Sequence, residues 1–382
     1  MAQIRLSNIV KKFTNKTDPS RYFSFLFFGT AVLDTYRSTK ELVKGAAKRN
    51  FSINNLSLTV PDGKVMVILG PSGCGKSTLL RLLAGFTKPD SGDIFFDDKS
   101  VLDLQPKYRN IGMVFQDFAL YPHFSAKKNI VSYFFFKGNN PEIENEAKER
   151  LQKTSELMGV DIEYLMDRKP YNLSGGEKQR VALGRCITRN PGLFLLDEPF
   201  SNLDQKLKEK YRVQLKTLLN HFNITTVYVT HDQQEAMILA DLVAVMRDGN
   251  IEQTGTIEEL YNNPKNCFVA EFINIQTDIP SICYFEAELL DIKWNGMKAG
   301  VRPEDFQTES DGSVCSISAI VLSARQIPLK RKTIITAKVE GTDFYFESDI
   351  NQTFEKDQKI DIFCKKVFLF NKTTEELIKI IN

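Results

Sequence analysis

The stretch GPSGCGKSTLLRLLAG, Gly70 to Gly85, decides how the rest of the sequence is read. It satisfies G-x-x-x-x-G-K-[ST] in full. Directly upstream, KVMVIL (Lys64 to Leu69) is a continuous apolar run suited to a parallel strand buried on both faces, and a helical pattern follows the glycines. A chance glycine-rich turn needs neither neighbour; a phosphate-binding loop needs both. Successive glycines let backbone N–H groups turn toward one point as an anion nest. Gly70, Pro71, Ser72, Gly73, Cys74, Gly75, Lys76, Ser77 and Thr78 are therefore the expected nucleotide-binding set. Lys76 is expected at the β and γ phosphates, and Ser77 offers a hydroxyl to Mg²⁺.

Working outward, FSINNLSLTV and KVMVIL read as two strands around a Pro-Asp-Gly turn. Residues 118–172 change to helical character, with PEIENEAKERLQKTSELMG showing a proline start, an acidic first turn and a glycine stop. An α/β rhythm resumes at Leu173: a helix after LSGGEKQR, the apolar strand GLFLLDE, a charged helix from Leu203 to His221, and the strands ITTVYVTH and LVAVMRDG. After Pro264 the chain passes into short alternating segments, TIITAKVEG, DFYFES and KIDIFCK, which suggest a small β-barrel or sandwich.

The strand GLFLLDE delivers adjacent carboxylates at its C-terminal end. Asp197 is placed to hold Mg²⁺ through water, and Glu198, pointing elsewhere, to polarise an attacking water. An acidic turn at a strand end is common, so this signal gains its force from the phosphate loop beside it.

Bulk composition removes several classes of function. Lys and Arg total 50 against 48 Asp and Glu, which gives no electrostatic case for nucleic acid. The six cysteines lie far apart with no C-x-x-C pair, so neither a disulfide framework nor a zinc site is suggested, and a reduced cytoplasmic setting is expected. Within the aromatic stretch SRYFSFLFFGTAVL, Ser20 to Leu33, the apolar-rich run from Tyr22 to Leu33 makes about 18 Å of helix at about 1.5 Å per residue, against about 30 Å of hydrocarbon to cross. Dealings with a membrane are thus expected to go through another chain.

LSGGEKQR, Leu173 to Arg180, resembles the signature of the ATP-binding cassette family, and MVFQ, SNLD and VYVTHD follow that family's order around it. The resemblance covers about residues 1–13 and 50–275. It implies an α/β phosphate-loop NTPase core with a helical subdomain (118–172) and an antiparallel β-subdomain, in a nucleotide-binding domain over 1–275. It implies that Phe13 stacks on adenine, that Gln116 senses the γ-phosphate and Mg²⁺, and that Asp204 belongs to the nucleotide site. Ser174, Gly175 and Gly176 would open a helix whose N-terminus meets the nucleotide of a second subunit, and His231 would contact the γ-phosphate and position Glu198. One copy of each half-site implies two cassettes head to tail, most simply a homodimer.

GMVFQDFALYPHFSAKKNI, the long stretch from Leu173 to Lys208, and GVRPEDF at Gly300 to Phe306 resemble the ATPase subunits of carbohydrate and polyamine importers. By that resemblance residues 276–382 form a small all-β oligonucleotide-binding-like domain used in dimer contacts and regulation. The protein would hydrolyse ATP at the cytoplasmic face of a membrane and drive uptake of a sugar or sugar-phosphate, then polyamine, through two permease subunits fed by an extracytoplasmic solute-binding protein. A soluble non-transport ATPase and an exporter ATPase are the alternatives. Residues 14–48 look inserted relative to the importers and are expected to form a helical hairpin. Phe134 to Phe136 are read as core, Lys107 and Arg109 as a solvated face, and Cys74 as a small filler within the loop.

Overall fold

The structure, a computed structural model, describes residues 3–12, 51–138, 140–158, 164–201, 203–274, 279–327 and 331–382. Phe13 and the insertion 14–48 lie outside the described residues. The chain divides into two compact units, Met1–Ile257 and Glu258–Asn382.

The first unit contains two sheets. Strands β1 (Ile4–Lys12), β2 (Phe51–Val60), β4 (Ser91–Phe96) and β5 (Lys99–Ser100) form a four-stranded sheet in the order β2-β1-β4-β5 with antiparallel pairing throughout. A second sheet has the order β10-β9-β3-β8-β7-β6, from β3 (Val65–Leu69), β6 (Ile111–Val114), β7 (Leu193–Asp197), β8 (Thr225–Thr230), β9 (Leu242–Arg247) and β10 (Asn250–Gly255). It is parallel except for β10, which pairs antiparallel with β9. The strands on either side of the Pro-Asp-Gly turn therefore do not pair with each other: β2 joins the first sheet and β3 the second. Their patterns carry the reason. β2 alternates buried and exposed residues, as a strand with one wet face does, whereas all five residues of β3 are buried between β8 and β9.

Helix α1 (Lys76–Ala84) follows β3 and ends at Gly85, which takes the left-handed conformation at φ 77°. Arg109 closes that helix end. Its guanidinium donates to the carbonyls of Leu82 and Leu83 at 2.9 and 2.8 Å, and burial pushes its pKa down to about 10. The solvated face expected at Arg109 is thus wrong, because helix-end carbonyls without intrahelical partners attract a buried donor.

Among the described residues between β6 and Leu173 are the helices α2 (Ala126–Ile130), α3 (Ser132–Lys137) and α4 (Pro141–Met158), around a small core that includes Ile130, Phe134, Leu165 and Val181. Only Phe134 of the aromatic triplet is core, at 4% exposure. Phe135 and Phe136 are exposed and lie against Phe124 and Tyr121 on the surface. Three consecutive helical residues span about 200° of arc, so they cannot share one buried face. Helices α5 (Gly175–Thr188), α6 (Gln205–Phe222) and α7 (Gln233–Leu239) complete the unit. Among the described residues no helix is long and apolar enough to cross a membrane.

The second unit opens with α8 (Ile257–Asn262), whose first residue closes the first unit, and α9 (Cys267–Phe272). Two antiparallel sheets follow. One has the order β11-β12-β18-β19, from β11 (Cys283–Glu286), β12 (Met297–Val301), β18 (Val367–Asn371) and β19 (Leu377–Ile381). The other has the order β13-β17-β14-β15-β16, from β13 (Phe306–Gln307), β14 (Cys315–Ile327), β15 (Lys332–Val339), β16 (Thr342–Asp349) and β17 (Lys359–Cys364). Phe285, Phe306, Phe344 and Phe346 fill the core to which both contribute. Arg302 of GVRPEDF is buried, its guanidinium 3.4 Å from the centre of the Tyr261 ring and donating to the carbonyls of Tyr261 and Ser281.

Candidate nucleotide site

Three adjacent parallel strands, β3, β8 and β7, end side by side. Leu69 is in register with Thr230, and Asp197 with Val229. The residues that follow are Gly70, His231 and Glu198, so the topology gathers the phosphate loop, the histidine and the carboxylates in one crevice beyond the carboxyl ends of the sheet. Open α/β sheets bind ligands at that end.

Gly73 and Gly75 adopt φ 79° and 114°, which side-chain-bearing residues rarely tolerate. A Cβ on Gly75 would lie 2.4 Å from the carbonyl oxygen of Ser52, so the loop's path also depends on that missing atom. Lys76 is 6% exposed and donates to the carbonyls of Gly70 and Pro71 at 2.7 and 3.0 Å, which holds its ammonium within the curve of the loop. Cys74 is 1% exposed, and burial raises its thiol pKa; it fills space beneath the loop.

Ser77 Oγ donates to Asp197 Oδ1 at 3.1 Å. Burial raises the Asp197 pKa, the Ser77 hydroxyl works against that, and the neighbouring Glu198 adds to it. A hydroxyl and a carboxylate with hard oxygen donors, in a place where negative charge is disfavoured by burial, fit Mg²⁺.

Glu198 has φ 44°, a left-handed conformation uncommon outside glycine. Its N–H donates to the Val229 carbonyl at 3.0 Å, and the Ser201 N–H and hydroxyl donate to its own carbonyl at 3.1 and 3.0 Å. The bend turns the Glu198 side chain away from Asp197 and toward His231, whose Nδ1 lies 3.2 Å from Oε1. Behind His231, Arg212 from α6 is 1% exposed and bonds Asp232 Oδ2 at 2.5 Å, while Asp232 caps α7. Arg212 was not legible in sequence, because one arginine in a charged helix carries no mark of burial.

Gln116 is exposed, two residues beyond β6, whose Val114 is in register with Leu196 of β7. The turn after it places Phe118 and Ala119 at φ 63° and 43°. Arg185 of α5 holds that turn, donating to the carbonyls of Ala119 and Phe118 at 2.7 and 3.0 Å. Sequence reading missed this tie between the glutamine loop and the signature helix. At the start of that helix, Ser174 and Glu177 form a reciprocal capping box, with Glu177 also accepting from Tyr164 OH at 2.7 Å. Asp204 caps α6 by accepting from the Leu207 N–H at 3.0 Å. Gly176 is required by contact: a Cβ there would meet ring carbons and the hydroxyl of Tyr211 at 2.6 to 2.9 Å. Gly176→Ala is expected to cost about 1–3 kcal/mol in urea unfolding through overpacking. Tyr211→Leu should recover part of that loss in the double variant; no recovery would mean the tyrosine is not the obstacle.

The profile of the ABC transporter family matches residues 53–201. The sn-glycerol-3-phosphate import ATP-binding protein UgpC of Rhizobium meliloti (strain 1021) is 45% identical over 270 residues, covering 68% of this chain and 75% of that protein. The chain belongs to the ABC transporter family. The trehalose/maltose import ATP-binding protein MalK of Thermococcus litoralis is 38% identical to this ABC protein over 363 residues, 86% of the chain and 95% of that protein. Among solved structures, the dimeric post-hydrolysis state of the ATP-binding cassette MJ0796 with ADP and Pi is 28% identical, with a TM-score of 0.51, and covers 66% of this ABC chain and 98% of that one. This ABC protein is accordingly an ATP-binding cassette ATPase with the phosphate-loop fold.

Proposed function

We propose that this chain powers an import system for a sugar or sugar-phosphate, with polyamine as the next choice, through a separate permease of two membrane subunits supplied by an extracytoplasmic solute-binding protein. The observation that carries the catalytic part is the Glu198–His231 pair at 3.2 Å in the same crevice as Lys76 and the Ser77–Asp197 pair. The uptake part is supported by the names of relatives that this chain resembles along most of its length, UgpC and MalK.

In this reading the loop N–H groups and Lys76 bind the phosphates, and Phe13 stacks on adenine. Ser77, Gln116 and Asp197 hold Mg²⁺, which when bound neutralises charge on the phosphates. Glu198 accepts the proton of the attacking water, and His231 holds Glu198 and the γ-phosphate in place. Asp204 belongs to the nucleotide site, and Ser174, Gly175 and Gly176 complete the pocket of a second copy, so the working unit is a homodimer at the cytoplasmic face of the membrane. Closure on ATP draws the helical regions together and reorients the permease; hydrolysis releases it. The energy of the movement lies in the difference in ATP affinity between closed and open states. The boundaries belong to the same proposal, with 1–275 the nucleotide-binding domain and 276–382 a regulatory, dimerising β domain.

Affinity capture of the full chain from detergent-solubilised membranes tests the reading. Two polytopic membrane proteins in stoichiometric amounts, with ATPase activity stimulated by a loaded solute-binding protein, are expected. Sedimentation with ribosomes would sink it.

A further inference from the structure

The six cysteines are far apart in sequence, yet β14 and β17 pair antiparallel with Cys315 directly opposite Cys364. Along β14, Ile317, Ala319 and Val321 are buried at alternate positions, which puts Cys315 on the inward face. Along β17, Ile362 and Cys364 are the inward residues by the same alternation. Opposed residues of an antiparallel pair have Cα atoms about 4.5–5.5 Å apart, within the roughly 4.4–6.8 Å a disulfide spans. Register and alternation therefore put the two sulfur atoms next to each other at one end of the ladder.

Accessibility separates this pair from the other cysteines. Cys74, Cys186, Cys267 and Cys283 are buried, while Cys315 is half-buried and Cys364 fully buried behind it. Cys283, the other cysteine in a described strand, stands opposite Val301. The molecule thus has one thiol open enough to meet a small oxidant and, directly across the ladder, a second thiol that no bulky reagent reaches.

We propose that Cys315 and Cys364 form a site of reversible oxidation, closing a disulfide between β14 and β17 when the protein meets a hydroperoxide. The thiolate of Cys315 attacks the distal oxygen of the hydroperoxide, the O–O bond breaks, and the alkoxide or hydroxide leaves with the proton that Cys315 gave up. Cys315 is then a sulfenic acid. The Cys364 sulfur attacks that sulfur, the S–O bond breaks, and the departing hydroxide takes the Cys364 proton as water. In sum, two thiols and one hydroperoxide give one disulfide, one alcohol (water when the oxidant is hydrogen peroxide) and one water. The two sulfurs lose the two electrons that the peroxide gains. A hydrogen bond from the Cys364 thiol helps the first step by lowering the Cys315 pKa, against the opposing effects of burial and of Asp291.

The test uses the full chain treated with a small excess of hydrogen peroxide, then unfolded for thiol titration and peptide mass mapping. Two of the six thiols should be lost, with a single cross-linked pair of peptides carrying Cys315 and Cys364, reversed by dithiothreitol. Cys364→Ala should leave Cys315 as a sulfenic acid that dimedone traps, whereas the unaltered protein should give little trapped adduct. Cys315→Ser, which changes a side chain at the rim, should keep all its remaining thiols under the same treatment. Retention of all six thiols in the unaltered protein, or equal dimedone labelling with and without Cys364, would overturn the proposal.

Discussion

Glu198→Gln is expected to lower steady-state ATP hydrolysis by about 10²–10⁴-fold, the range a positioned general base contributes. The substitution keeps the shape and one oxygen of the side chain, so the contact with His231 Nδ1 at 3.2 Å survives while the capacity to accept a proton does not. The backbone at Glu198, set at φ 44° by bonds to Val229 and from Ser201, is indifferent to the change. Binding should therefore persist while turnover stops, and ATP should hold two copies together as a dimer visible by size-exclusion chromatography. Phosphate release and elution volume measured on the same preparation separate the two effects. Unchanged hydrolysis would remove Glu198 from its role.

The parts of this site that sequence revealed are those where chemistry dictates residue type locally. A nest of N–H groups needs glycines at φ values such as 79° and 114°, and the strand and helix around Gly70 to Gly85 are within a few residues of them. Asp197 and Glu198 were legible because an apolar strand must end somewhere, and two carboxylates at its end stand out. The supporting residues were not. Arg109 and Arg212 sit in polar stretches and Arg185 in the apolar run VALGRCI, yet each is recruited by carbonyls or carboxylates distant in sequence, which no local pattern marks. The Cys315–Cys364 pairing depends on a strand register between segments about fifty residues apart, which alternation alone does not fix. For Phe135 and Phe136, composition suggested core, but the helix that buries Phe134 turns its neighbours outward. Both strands around the Pro-Asp-Gly turn form as read, and partners distant in sequence decide which sheet each joins: β2 pairs with β1, and β3 with β8 and β9.

Arg212→Ala should give the largest loss of stability, about 3–5 kcal/mol, because it removes one partner of a buried charge network and leaves the other uncompensated. The guanidinium bonds Asp232 Oδ2 at 2.5 Å and Gln234 Oε1 at 3.1 Å and stands 3.8 Å from Glu235 Oε1. Glu235 is 2% exposed; burial raises its pKa, while the Tyr228 hydroxyl at 2.6 Å and, more weakly, Arg212 work the other way. Without the arginine, that carboxylate is left more costly to ionise, and Asp232 loses the contact that steadies the turn carrying His231. A double variant with Glu235→Gln should therefore be less destabilised than the sum of the two single changes, by about 0.5–3 kcal/mol. Urea unfolding of all four proteins measures the coupling. The two effects also predict different readouts: stability responds to the uncompensated charge, whereas hydrolysis responds to the position of His231. In the double variant, stability should recover while kcat stays low, because removing the Glu235 charge does nothing to restore the Arg212–Asp232 bond. Strict additivity in unfolding would show that Glu235 does not share its charge balance with Arg212, and recovery of kcat together with stability would show that His231 is not held through Asp232.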